Sequence, residues 1–213
     1  MSKISYRILT LVEALALAAY IAWYIWQLQS TKPNSWIVLM IWLMSSLVFH
    51  GDTPKTLGWR ADNLAAATRQ GVPFFIFCVL AAIPIGWWFG AFRTLPPHLI
   101  QVRHVLNYAA FCFLQQVALN SYMTNRLLYA FEARLPAAFL AGAVFAGLHW
   151  PNPVLVPLTF FGGVVMSWLF ARERNIIPLA VGQAIVGTLI WWAFPVAWHH
   201  GMRVGPGYYT FHR

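Results

Sequence analysis

Leu114-Gln115-Gln116-Val117-Ala118-Leu119-Asn120 sets three carboxamides inside a stretch otherwise apolar enough to span a bilayer. On a helix Gln116 and Asn120, four residues apart, stack on one face, with Gln115 about 100° round the axis from Gln116. An unpaired amide in hydrocarbon costs on the order of a few kcal/mol, so the patch must find partners. It faces the interior of a bundle, where it either serves a site or glues neighbouring helices by hydrogen bonds. Both readings ask for the same fold, an all-α membrane bundle.

Composition points the same way. Of 213 residues, 60% are hydrophobic and 9% charged, against about 25% charged in a soluble domain. The 12 tryptophans cluster near the ends of apolar runs (Trp23 and Trp26, Trp36, Trp87 and Trp88, Trp191 and Trp192), as interfacial belts do. A net charge of +9 is spread over short loops, with no basic arm or nucleic-acid motif, so nucleic acid is excluded as a partner and membrane lipid is implied. Cys78 and Cys112 lie inside apolar runs and read as reduced, buried small hydrophobes, not as a disulfide or a zinc site.

Apolar runs cover 8–26, 36–49, 72–92, 102–122, 137–150, 153–170 and 176–198, which predicts about seven transmembrane segments in a single integral membrane domain over 1–213. The first run lacks a small-residue cleavage site and is long enough to span, so it reads as a retained helix. The second and fifth are short for about 30 Å of hydrocarbon and call for tilt or shielding. With the N-terminus cytoplasmic, Lys3, Arg7, Lys55, Arg60, Arg69, Arg126, Arg134, Arg172 and Arg174 fall inside, and Lys32, Arg93, Arg103, Arg203 and Arg213 outside. This excess favours that orientation, in a bacterial cytoplasmic membrane. Asp62 or Asn63 would cap a short surface helix ended by Gly71, and 124–134 reads as a cytoplasmic turn and surface helix.

Other polar residues recur along the chain. Glu13 is the one carboxylate inside an apolar run, either a functional acid or a neutral one bonded to another helix. His149 closes a small-residue helix in which Gly142 and Gly147 permit close approach to the amides. Gln183 lies in a third apolar run. Past the seventh run, His199 and His200 with a Gly205-Pro206-Gly207 turn form an ordered cap or a surface tail, and a site combining His149 with His199 or His200 is one reading.

The order of these motifs resembles the CPBP family, the intramembrane CAAX-type prenyl endopeptidases and their bacteriocin-processing relatives. Those proteins carry Glu-Glu-x-x-x-Arg on one helix, Phe-x-x-x-His on the next, and a later His often followed by Asn four residues on. Here the matching positions are Gln115-Gln116-x-x-x-Asn120, Phe145-x-x-x-His149, and Gln183 with Gly187. Leu57-Gly58-Trp59-Arg60 is similar to the family's "LGLR" element, so the resemblance runs from about 55 to 190.

The resemblance implies a CPBP-like core over 55–190 and site positions at Gln115, Gln116, Asn120, His149 and Gln183. In the family a glutamate helped by histidine activates water. A carboxamide has no useful basicity near neutral pH, so that step has no catalyst at these positions. One imidazole among amides is also a poor divalent-metal site, so no metal or cofactor is expected. Two expectations follow. One is a hydrolase in which the amides orient a scissile carbonyl and His149 is the general base. The other is a non-catalytic relative that binds a prenylated or hydrophobic peptide, or serves as a scaffold or assembly subunit of a membrane complex.

Overall fold

The computed structural model describes residues 2–92 and 102–211. Every regular element among them is helical. Helix α1 (Lys3–Trp23) starts at Ser2, whose side chain accepts from Ser5 N, and runs through a π turn (Tyr24–Leu28) to Thr31. Its buried residues Thr10, Ala14, Leu17 and Ala18 recur at helical spacing, so one stripe faces the core. Next come α2 (Trp36–Phe49), the short α3 (Pro54–Leu57) and α4 (Leu64–Trp88). Helix α5 (Val102–Gln116) passes through a π segment (Val117–Thr124) into α6 (Asn125–Phe131). Helices α7 (Arg134–Gly147), α8 (Leu155–Arg172) and α9 (Ile177–Ala193) complete the bundle, and α10 (Val196–His199) and α11 (Pro206–Tyr209) form the tail.

Among the described residues three helices are long and apolar enough to cross a membrane: Lys3–Thr31, Leu64–Trp88 and Leu155–Arg172. Pro33–Phe49, Arg134–Gly147 and Ile177–Ala193 are shorter and apolar. Large apolar side chains stand on the outer surface, among them Val48, Phe77, Trp87, Trp88 and Phe161. In water such a surface would associate; in lipid it is the solvated face. The chain is an all-α membrane helix bundle.

Three expectations about boundaries need correction. The surface helix at 63–69 and the third span are one continuous helix, because Gly71 is buried in its interior and does not serve as a C-cap. The stretch 124–134 is not a surface turn. From Gln116 to Leu127 every residue but Ala118 is buried, and Arg126 is fully enclosed, so it leaves the tally of cytoplasmic loop charges. A helix buried on all sides is the axis of a bundle, and this one packs against α1, α3, α7 and α8. The seventh run ends at Ala193, where Phe194 turns extended ahead of Pro195. Arg93 and Arg213 lie outside the described residues.

The loop after α3 is fitted onto this axis. Gly58 closes α3 with φ +76°, and a Cβ there would meet Phe170 at 2.7 Å and the backbone nitrogen of Asn175 at 3.1 Å. Its carbonyl accepts from Ile176 N (3.1 Å), Trp59 Nε1 donates to Ser121 Oγ (3.1 Å), and Ser121 Oγ donates to the Leu57 carbonyl (2.6 Å). Asn125 Nδ2 donates to Thr56 O (2.8 Å), and Arg174 donates to the same carbonyl and to Asn125 Oδ1. The loop, the axis and the turn before α9 thus share one set of hydrogen bonds.

At the other end, Asn152 is fully buried. Its Nδ2 donates to the carbonyls of His199 (2.7 Å) and Arg203 (3.0 Å), and its Oδ1 accepts from Val154 N and Leu155 N. Gly205 N donates to Trp150 O (3.0 Å). The tail is therefore an ordered cap at the His149 end of α7. His200 stacks on Tyr208 with ring centroids 4.2 Å apart.

Candidate functional site

Four carboxamides and a hydroxyl form one directed chain along the buried axis. Thr124 Oγ1 donates to Asn120 Oδ1 (3.0 Å), and Asn120 Nδ2 donates to Gln116 Oε1. Gln116 Nε2 donates to Gln183 Oε1 (2.6 Å), and Gln183 Nε2 donates to Gln115 Oε1 (2.6 Å). Each amide offers one NH₂ and one carbonyl, so a head-to-tail run uses both ends of Gln116, Asn120 and Gln183. Aligned bonds of this kind reinforce one another in a low-dielectric interior.

Local structure explains the alignment. Gln116, Asn120 and Thr124 repeat every four residues along α5 and the π segment. The single Thr124 hydroxyl proton is shared between Asn120 Oδ1 and the Leu119 carbonyl five residues back (2.8 Å), a backbone acceptor where the π turn loosens the ladder. Helix α8 supplies Met166 Sδ, 3.2 Å from Gln116 Nε2, and Ser167 Oγ, 3.0 Å from Thr124 Oγ1. Gln183 enters from α9. Gln116, Asn120, Thr124 and Ser167 are fully buried, and Gln115 is half-buried at the rim.

His149 stands apart from this chain. Its Nδ1 lies 2.7 Å from the carbonyl of Phe145, which can only accept, so Nδ1 carries a proton and in the neutral form of the ring the lone pair is on Nε2. The ring packs edge-on against Phe145 at 4.7 Å. Among the described residues no hydrogen bond joins His149 to the carboxamides. Of the two glycines expected to bring its helix close, Gly142 does so against α8, while Gly147 is exposed with no neighbour within 4 Å of where a Cβ would stand. No group of three or more His, Cys, Asp or Glu could hold a metal ion among the described residues.

The amide chain has no base stronger than an amide oxygen. Direct contacts of 2.6 Å leave no room for a water between the joined groups. What the cluster does supply is hydrogen bonding across three helices, with Gln115 as its outward end.

The family model described as Type II CAAX prenyl endopeptidase Rce1-like matches residues 102–189. This segment is Rce1-like. No curated protein and no solved structure matches the chain. The Rce1-like segment runs from α5 into α9 and contains Gln115, Gln116, Asn120, His149 and Gln183. The 57–60 loop precedes the matched range and docks onto it through Ser121 and Ile176.

Sequence reading missed Thr124, Met166 and Ser167. Thr124 continues the four-residue register of Gln116 and Asn120 and could have been found by it. Met166 and Ser167 sit in an apolar run with no distinguishing pattern. It also missed the pairing of Glu13, which does not stand alone. Its Oε2 is 2.7 Å from His50 Nε2, and its Oε1 accepts from Tyr122 Oη at 3.2 Å.

Proposed function

We propose that this chain is a divergent, CAAX-protease-related membrane protein whose Rce1-like site recognises or scaffolds, and does not hydrolyse by the glutamate-dependent route. The single observation behind this reading is the amide chain. At the positions where the family carries two acids, an arginine and a histidine, this chain has carboxamides that satisfy one another. Their half-exposed end, Gln115, suits a hydrogen bond to the backbone of a hydrophobic or prenylated peptide, or to a neighbouring subunit of a membrane complex. Lys and Arg concentrated near the N-terminal end of α1, between α3 and the first turns of α4, and at the C-terminal end of α8 favour a cytoplasmic N-terminus, in a bacterial inner membrane.

The test is peptide cleavage by the full chain in lipid nanodiscs, assayed on a prenylated peptide. The natural chain is expected to show no turnover, and the triple variant Gln115→Glu, Gln116→Glu, Gln183→His to gain it. Gln116→Ala should lower stability by about 1–3 kcal/mol, the cost of stranding buried partners, while removing no hydrolytic rate. Turnover by the natural chain that disappears in His149→Ala would overturn this reading in favour of an imidazole base.

A further inference from the structure

The face of the axis opposite the carboxamides holds a second polar assembly, whose hydroxyl, imidazole and carboxylate come from residues outside the Rce1-like segment. Tyr6 Oη lies 2.7 Å from His50 Nδ1, and His50 Nε2 lies 2.7 Å from Glu13 Oε2. With Glu13 ionised the carboxylate only accepts; Nε2 then carries the proton and Nδ1 is the acceptor for the Tyr6 hydroxyl. The order is hydroxyl, imidazole, carboxylate: a nucleophile on a base, and the base oriented by a third group.

Each member is held in place. Tyr122 donates to the other carboxylate oxygen of Glu13, and Thr10 Oγ1 donates to the Tyr6 carbonyl at 2.8 Å. The His50 side chain is fully enclosed and Glu13 keeps 17% of its side chain exposed. Tyr6 and Glu13 are both half-buried, so the assembly borders the protein surface through these two residues. Arg126 completes the charge. It donates to Asp52 Oδ2 (2.7 Å) and Ser46, and its guanidinium lies 5.2 Å from the Tyr122 ring. Its Nη1 is buried with no protein acceptor.

We propose that Tyr6, His50 and Glu13 form a nucleophilic site that accepts an acyl group on the Tyr6 oxygen. Exposed Phe49 packs on the His50 ring at 5.2 Å and exposed Tyr129 on the Tyr6 ring at 6.1 Å, so the approach is apolar and suits an ester with a fatty-acyl chain. In the step, the Tyr6 oxygen bonds to the acyl carbonyl carbon as its proton passes to His50 Nδ1. The bond from that carbon to the leaving group breaks, and the leaving group departs with the proton from Nδ1. Glu13 stabilises the imidazolium meanwhile, and water later hydrolyses the tyrosyl ester by the same proton path. Arg126 balances charge in the cluster and serves as a positioning residue.

Labelling with an alkylsulfonyl fluoride tests this on the full chain in nanodiscs, because the sulfonyl centre takes the place of the acyl carbon and leaves a stable adduct as fluoride departs. Peptide mass spectrometry should find Tyr6 labelled faster than the more exposed Tyr209. His50→Gln should slow Tyr6 labelling about a hundredfold, the scale of a lost general base, and Glu13→Gln should slow it by a smaller factor, while Tyr209 is unchanged in both. If His50→Gln disturbs the fold, Tyr209 reports it and Glu13→Gln carries the test. Tyr6 reacting no faster than Tyr209, or at the same rate in both variants, would reduce the assembly to a structural tie. The readout is independent of the carboxamide chain, so it separates from the peptide-cleavage test.

Discussion

Asp52→Ala should destabilise the protein by about 3–5 kcal/mol, because it leaves a guanidinium buried without its counter-charge. The Arg126 side chain is fully enclosed and that of Asp52 is 6% exposed, and their contact is 2.7 Å. Arg126 also donates to Ser46 Oγ and to the Ser46 carbonyl, but these are neutral acceptors and do not offset its charge. Asp52→Asn keeps a hydrogen-bond acceptor and should fall between the variant and the natural chain. The contrast is the exposed pair of Arg60 with Asp62, whose loss should leave the unfolding midpoint unmoved. Thermal unfolding in a single detergent measures all three. An Asp52→Ala midpoint equal to that of the natural chain would mean that Arg126 is solvated in solution, and that the axis is not closed at that end.

Gly142→Ala is expected to be strongly destabilising. A Cβ at Gly142 would stand 2.7 Å from the backbone nitrogen of Val164 and 2.8 Å from the backbone carbonyl of Phe160. Neither can rotate aside, so α7 and α8 must separate. Overpacking of this kind costs about 1–3 kcal/mol, and more where backbone must shift. The same substitution at Gly147 meets open space and should be close to neutral in the same unfolding measurement. Equal midpoints for the two variants would show that the helices are not in contact at Gly142. Since α8 supplies Met166 and Ser167 to the carboxamide chain, separation of the two helices should also loosen the Gln116 contacts.

Composition and hydropathy alone establish a membrane helix bundle, because a chain with 9% charged residues has too little polar surface to cover itself in water. Helical periodicity alone puts Gln116 and Asn120 on one face, since positions four apart on a helix must stack. The continuation of that register to Thr124 is equally a property of spacing. Tertiary structure decided the rest. Arg126 carries every mark of a loop charge until Asp52, 74 residues away, is placed against it. Glu13 reads as a lone intramembrane acid until His50, 37 residues on, meets its carboxylate. Pairings between helices depend on crossing geometry and rotation about each axis, and neither is encoded in local spacing. A buried charge is tolerable only when its partner is already in place, so the same residue is a solvated loop cation in the sequence and the closed end of the bundle axis in the fold.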